Sequence, residues 1–213
     1  MHEVLPGVFH WTSIHPKIGI EVSSYWLDGP GVVLDPLIPA DVGLEWFAER
    51  SRPPVAVLLS NRHHYRDSGS FVERFGCTVR CNQAGLHEFT HGEAVEGFAI
   101  GDVLPGGVIA CEFGAICPDD TALYLPDHGA MAFADGLVRG GPHGAGPRLG
   151  FVPDILMDTP ERTKQLLLEG LRRLASAYAF EHLLLAHGGP VIGDGRRQLE
   201  DLLAVGGRTA FEL

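Results

Sequence analysis

The chain has 213 residues, 45% of them hydrophobic and 20% charged, which suits one sizeable globular domain over 1–213. A formal net charge of −11 argues against a broad basic face, and so against a nucleic-acid partner gripped through its phosphates. No apolar run approaches membrane-spanning length, and MHEVLPGVFHW lacks a basic stretch followed by a long apolar one. Neither membrane insertion nor a signal peptide is therefore expected, and the expected compartment is the cytoplasm.

Gly7–Trp11 and Ile18–Leu27 read as strands rich in β-branched and aromatic residues. Asp28–Gly29–Pro30–Gly31 is a turn signal, and Gly31–Asp35 a third strand that ends in an acid before Pro36. Pro39–Arg50 carries a helical pattern with Leu44 and Phe47 on one face. Val55–Leu59 is a continuous apolar run, as expected of a strand buried on both sides. A helix over Ser70–Phe75, a short strand Thr78–Cys81 and a short helix Ala84–Phe89 follow. Val95–Glu112 is strand-and-turn material around Pro105–Gly106–Gly107, and Leu123–Leu125 and Ala130–Phe133 are two further short strands.

Gly136–Gly150 is too rich in glycine and proline for regular structure, so a lid or a disordered loop is expected there. Thr159–Tyr178 is the clearest helix: Thr159 is placed to cap it and Pro160 opens it. Leu167, Leu171, Leu174 and Tyr178 form its inner stripe. His182–Leu185 is an apolar strand delivering Ala186–His187–Gly188–Gly189–Pro190 to a turn, and Gln198–Val205 a closing helix. Cys77, Cys81, Cys111 and Cys117 form no CxxC pair and read as free, mostly buried thiols.

The densest chemistry lies in Leu58–Phe75, LLSNRHHYRDSGSFVERF. An apolar strand runs into Asn61, Arg62, His63, His64, Tyr65, Arg66 and Asp67, and a helix then opens. A rigid strand end next to a helix N-terminus is a common place to grip a metal or an anion.

This junction resembles the signature turn of the metallo-β-lactamase fold superfamily, Thr-His-x-His-x-Asp-His followed by Gly-Gly. With Ser60 on the Thr and Gly69 on the second Gly, Asn61 and His63 fall on the first two His. Tyr65 falls on the Asp and Arg66 on the last His. A register pairing His63 and Asp67 with the first His and the Asp spoils the glycine spacing. The closing His-Gly turn of the family is matched by His187–Gly188, and its metal-bridging Asp by Asp135. Ile116 stands where the family has a further ligand His.

The resemblance implies an αβ/βα four-layer sandwich and a hydrolase of a small ester, thioester, lactone or lactam. Three positions keep the family's ligand types: His63, Asp135 and His187. They suit one divalent metal, with zinc ahead of iron, rather than a dinuclear site. Asn61, His64, Tyr65 or Glu112 are candidates to complete or support it. Arg66, with Tyr65 beside it, is expected to serve catalysis as an anion partner. Two alternatives stay open: an iron site for oxygen or sulfur chemistry, and a metal-free binding or scaffold protein that keeps the fold. Each residue also has a structural reading, such as a turn-forming role for Asp135 before Gly136.

Overall fold

A computed structural model describes residues 1–140 and 148–206. The first sheet has seven strands. β1 (His2–Leu5), β2 (Val8–Ile14), β3 (Glu21–Leu27) and β4 (Val32–Leu34) are antiparallel neighbours in that order. After the short helix α1 (Glu45–Ala48), β5 (Ala56–Leu58) lies parallel to β4. The helix α2 (Ser68–Phe75) is the crossover to β6 (Thr78–Asn82), and β7 (Val95–Phe98) completes the parallel half. The chain then passes through Pro105–Gly107 into a second, four-stranded sheet. Its antiparallel members are β8 (Ile109–Glu112), β9 (Thr121–Leu125) and β10 (Ala130–Phe133). A two-stranded ribbon follows, β11 (Val138–Arg139) with β12 (Leu149–Gly150). The long helix α3 (Pro160–Ala177) then carries the chain to β13 (His182–Leu185), parallel to β10, and α4 (Gly195–Ala204) comes last.

Period-two alternation sorts the strand side chains into three cores. Tyr25, Leu27, Val32, Leu34, Ala56 and Leu58 face the second sheet, meeting Leu123, Leu125, Ala130 and Ala132. Their strand neighbours Trp26, Val33, Val57 and Leu59 face the other way, onto Phe47 of α1 and Phe71 of α2. Met131 and Phe133 likewise point outward, against Leu167, Leu171 and Leu174 of α3 and Leu199 of α4. The layers are therefore helix, sheet, sheet, helix. A fully buried Phe47, in edge contact with Trp11, Trp26, Trp46 and Phe71, is worth about 2–3 kcal/mol in burial alone.

Some expectations are corrected. The helix expected over Pro39–Arg50 is confined to Glu45–Ala48, because Gly43 takes a left-handed φ of +63° and ends the preceding turn there. β1 carries no alternation strong enough to announce it and is held by its pairing with β2. Thr159 stands at the start of α3, yet its side chain makes no capping bond; its carbonyl accepts from Thr163 N at 2.8 Å. The glycine-rich stretch Gly136–Gly150 lies partly outside the described residues, and its described ends form the β11–β12 ribbon. All four cysteines are free and buried.

Candidate metal centre

Two of the parallel pairs, β4 with β5 and β10 with β13, aim their C-terminal ends at one edge of the sandwich. In sheets with parallel strands, ligands gather outside those ends. Two backbone hydrogen bonds and one from a side chain tie the two sheets together here. Ser23 N donates to Ala186 O, Thr121 N to Ser60 O, and the Tyr25 hydroxyl to Leu185 O, each at 2.8 Å. Asp35 therefore leaves β4, Ser60 and Asn61 leave β5, Asp135 leaves β10 and His187 leaves β13 around one focus.

Asp35 is buried and adopts a left-handed φ of +47°. Its Oδ1 accepts from Ser60 N at 2.8 Å, and its Oδ2 accepts from the Ser60 hydroxyl. The same Oδ2 lies 3.0 Å from His64 Nδ1, which turns His64 Nε2 toward Asp135 Oδ1 at 3.4 Å. His187 Nε2 reaches that oxygen at 2.9 Å. Asn61 Nδ2 donates to the other oxygen of Asp135 at 2.8 Å. The Asn61 amide is oriented because its Oδ1 accepts His63 N at 2.9 Å, capping a 3-10 turn over Arg62–His64.

The electrostatics follow from this ladder. Burial and the Arg66 guanidinium oppose a charge on His64, but the carboxylates of Asp35 and Asp135 outweigh them and push its pKa up to about 9. Burial opposes ionisation of Asp135, yet His64 and His187 hold its carboxyl well below the usual range. Arg66, at a left-handed φ of +43°, donates through Nη1 to Asp35 O at 2.7 Å and Ser23 O at 3.0 Å. Asp35 and Arg66 are the only non-glycine residues with positive φ among the described residues, and this contact fastens one to the other.

One nitrogen each from His64 and His187 and one Asp135 oxygen lie within 4.8 Å of one another. Two imidazoles and a carboxylate are a donor set for zinc or non-haem iron with coordination positions left over. Asp35 on His64 Nδ1 is the supporting carboxylate such a ligand usually has. The residues present thus fit one divalent cation. They fit two poorly: the neighbouring positions carry the Asn61 amide, the Ile116 side chain and the Arg66 guanidinium.

Asp135 and His187 come together as the sequence suggests, but the histidine beside them is His64, not His63. In a 3-10 turn successive side chains point about 120° apart. Asp35 draws His64 inward and leaves His63 exposed at the wall of the cavity. Tyr65, expected to assist catalysis, packs on the far side of the turn with its ring 5.7 Å from Phe89. Glu112 is also remote, exposed and 3.8 Å from Arg173. Asp35 is the member of this hydrogen-bonded cluster that sequence reading left as a strand end; the available signal was an acid closing an apolar strand before Pro36.

A cavity of about 520 Å³ opens over the cluster. Its floor holds His64, Arg66, Asp135 and His187, and apolar side chains such as Ile18, Val22, Ile116, Val152 and Leu156 line it.

No family model and no curated protein matches the chain by sequence. Solved structures do. One is a metallo-beta-lactamase family protein from Thermus thermophilus, 21% identical, with a TM-score of 0.65 over 95% of this chain and 80% of that one. A metallo-beta-lactamase from Pontibacter korlensis is 16% identical, with a TM-score of 0.69 over 96% of this chain and 97% of that one. A metal-soaked flavodiiron core from Synechocystis is 14% identical, with a TM-score of 0.67 over 96% of this chain and 60% of that one. The protein has the metallo-β-lactamase fold, with the helix–sheet–sheet–helix layering described above. Among the described residues, no helix is long and apolar enough to cross a membrane.

Proposed function

We propose that the protein is a hydrolase of a small ester, thioester, lactone or lactam, working with one divalent cation held by His64, Asp135 and His187. The observation that carries this reading is the convergence of their three donor atoms within 4.8 Å at the floor of a ligand-sized cavity. Such a cation supplies Lewis acidity toward a carbonyl oxygen and toward water when bound. The chain's own residues do the rest. Asp35 fixes the His64 ring, so that Nε2 is the nitrogen presented to the site. Asn61 occupies one Asp135 oxygen and reserves the other for the cluster. Arg66 stays positive at this depth and favours an oxygen that gains negative charge during acyl transfer. Zinc and iron both suit the donors, and the flavodiiron core among the structural neighbours keeps iron in view.

A second reading has its own support. With His64 protonated between Asp35 and Asp135, the ladder is electrostatically satisfied without a cation. That arrangement suits a metal-free binding or scaffold protein.

Expression with supplementary zinc or iron, followed by elemental analysis, separates the two. The hydrolase reading expects about one equivalent of metal and turnover of a panel of simple esters and thioesters. His187→Ala is expected to lower metal retention more than tenfold and abolish turnover. Wild-type protein that carries no metal and hydrolyses nothing assigns the second reading.

A further inference from the structure

The cavity over the cluster is unevenly built. Its floor is polar and charged, while Ile18, Ile20, Val22, Ile116, Val152 and Leu156 supply an apolar lining. His15, Glu21 and His63 also line it. The apolar character continues outward at the mouth. Ile18 is 58% exposed, Leu156 61% and its neighbour Ile155 90%. Single exposed aliphatics are ordinary, but a run of them joined to a concave apolar lining marks a binding surface. Ile116 sharpens the point, because an alkyl group lies where the superfamily resemblance expects an imidazole.

We infer that the occupant of this cavity is a carboxylic acid derivative with an apolar acyl chain. Its carbonyl or carboxyl end sits at the His64–Asp135–His187 floor and its chain lies against Ile18, Ile20, Val152 and Leu156. The polar end is argued from the floor, where the Arg66 guanidinium suits an oxygen-bearing head group. The chain is argued from the lining, which offers alkyl contacts and, at about 520 Å³, room for a medium-length tail. The reaction assigned to this substrate rests on the hydrolase reading; the binding does not. In that reaction the acyl carbon loses its bond to the leaving oxygen or sulfur and gains one to the oxygen of water. One proton of the water ends on the leaving group, and the acid keeps or releases the other.

The test has a binding arm and a turnover arm, both on the protein as purified. Calorimetric titration uses sodium butyrate, hexanoate, octanoate and decanoate below their micelle concentrations. Affinity is expected to rise about fourfold per added methylene until the chain outgrows the cavity. Leu156→Asp and Ile18→Asp, both at exposed positions, are expected to flatten that series at least tenfold at octanoate. In the turnover arm, p-nitrophenyl octanoate is expected to have a lower KM than p-nitrophenyl butyrate, with the difference lost in both variants. Chain-graded binding without ester turnover supports the occupant and defeats the hydrolase reading. Turnover with no dependence on chain length does the reverse. Carboxylate affinity that is flat from butyrate to decanoate, or that the two variants leave unchanged, overturns the inference.

Discussion

Asp120 carries a cost that the rest of the site does not explain. It is buried, and among the described residues neither of its carboxylate oxygens has a hydrogen-bond partner. Burial and the nearby charge of Asp135 raise its pKa well above the ordinary 3.8. The folded state therefore holds this proton at pH values where the unfolded chain has released it. The stability linked to it is complete below pH 3.8 and is lost as pH rises from there toward the folded pKa. Asp120→Asn keeps the shape and removes the ionisation. It is expected to raise stability at pH 7 by about 1 kcal/mol, or about 2–4 °C in Tm, with no gain at pH 3, measured by thermal unfolding across pH. At this scale Asp135 and His187, each expected after an apolar strand, do follow β10 and β13 and lie 2.9 Å apart. The histidine beside them is His64 rather than the expected His63, because Asp35, 29 residues earlier in the chain, draws His64 inward from the 3-10 turn.

The element that delivers His187 depends on one close approach. Gly188 has φ +92°, and a Cβ built there would lie 1.8 Å from the carbonyl oxygen of Arg139. The His187 carbonyl in turn accepts from Arg139 N at 3.0 Å, so the turn after β13 and the strand β11 are pressed together beside the site. Gly188→Ala combines an unfavourable backbone region with a backbone clash. A loss of about 3 kcal/mol is expected in denaturant unfolding, together with weaker metal retention as the His187 turn moves. The strands β5, β10 and β13 were legible as short apolar runs, and α3 as a stripe of Leu167, Leu171 and Leu174. The extent of α1 was not, because the apolar spacing of Leu44 and Phe47 survives whether or not the residues before Gly43 are helical.

Across the whole molecule, the site exists because two sheets are held face to face with their strand ends in step. The Tyr25 hydroxyl bridges them, 160 residues away in sequence from the Leu185 carbonyl that accepts it at 2.8 Å. Tyr25→Phe keeps the packing and leaves that bond unmade. It is expected to lower stability by about 1–2 kcal/mol, shifting the urea midpoint without changing the slope of the transition. By itself the sequence suggested two sheets each covered by a helix layer, from the order of its strand and helix signals, and its resemblance to the metallo-β-lactamase signature turn implied the four-layer sandwich. It also named two of the three clustered residues, Asp135 and His187, because a polar residue closing an apolar strand has few places to go. The tertiary structure decided that His64 joins them, that Asp35 holds His64, and which apolar side chains line the cavity. Those rest on contacts between segments far apart in the chain, and local spacing carries no record of which segments will meet.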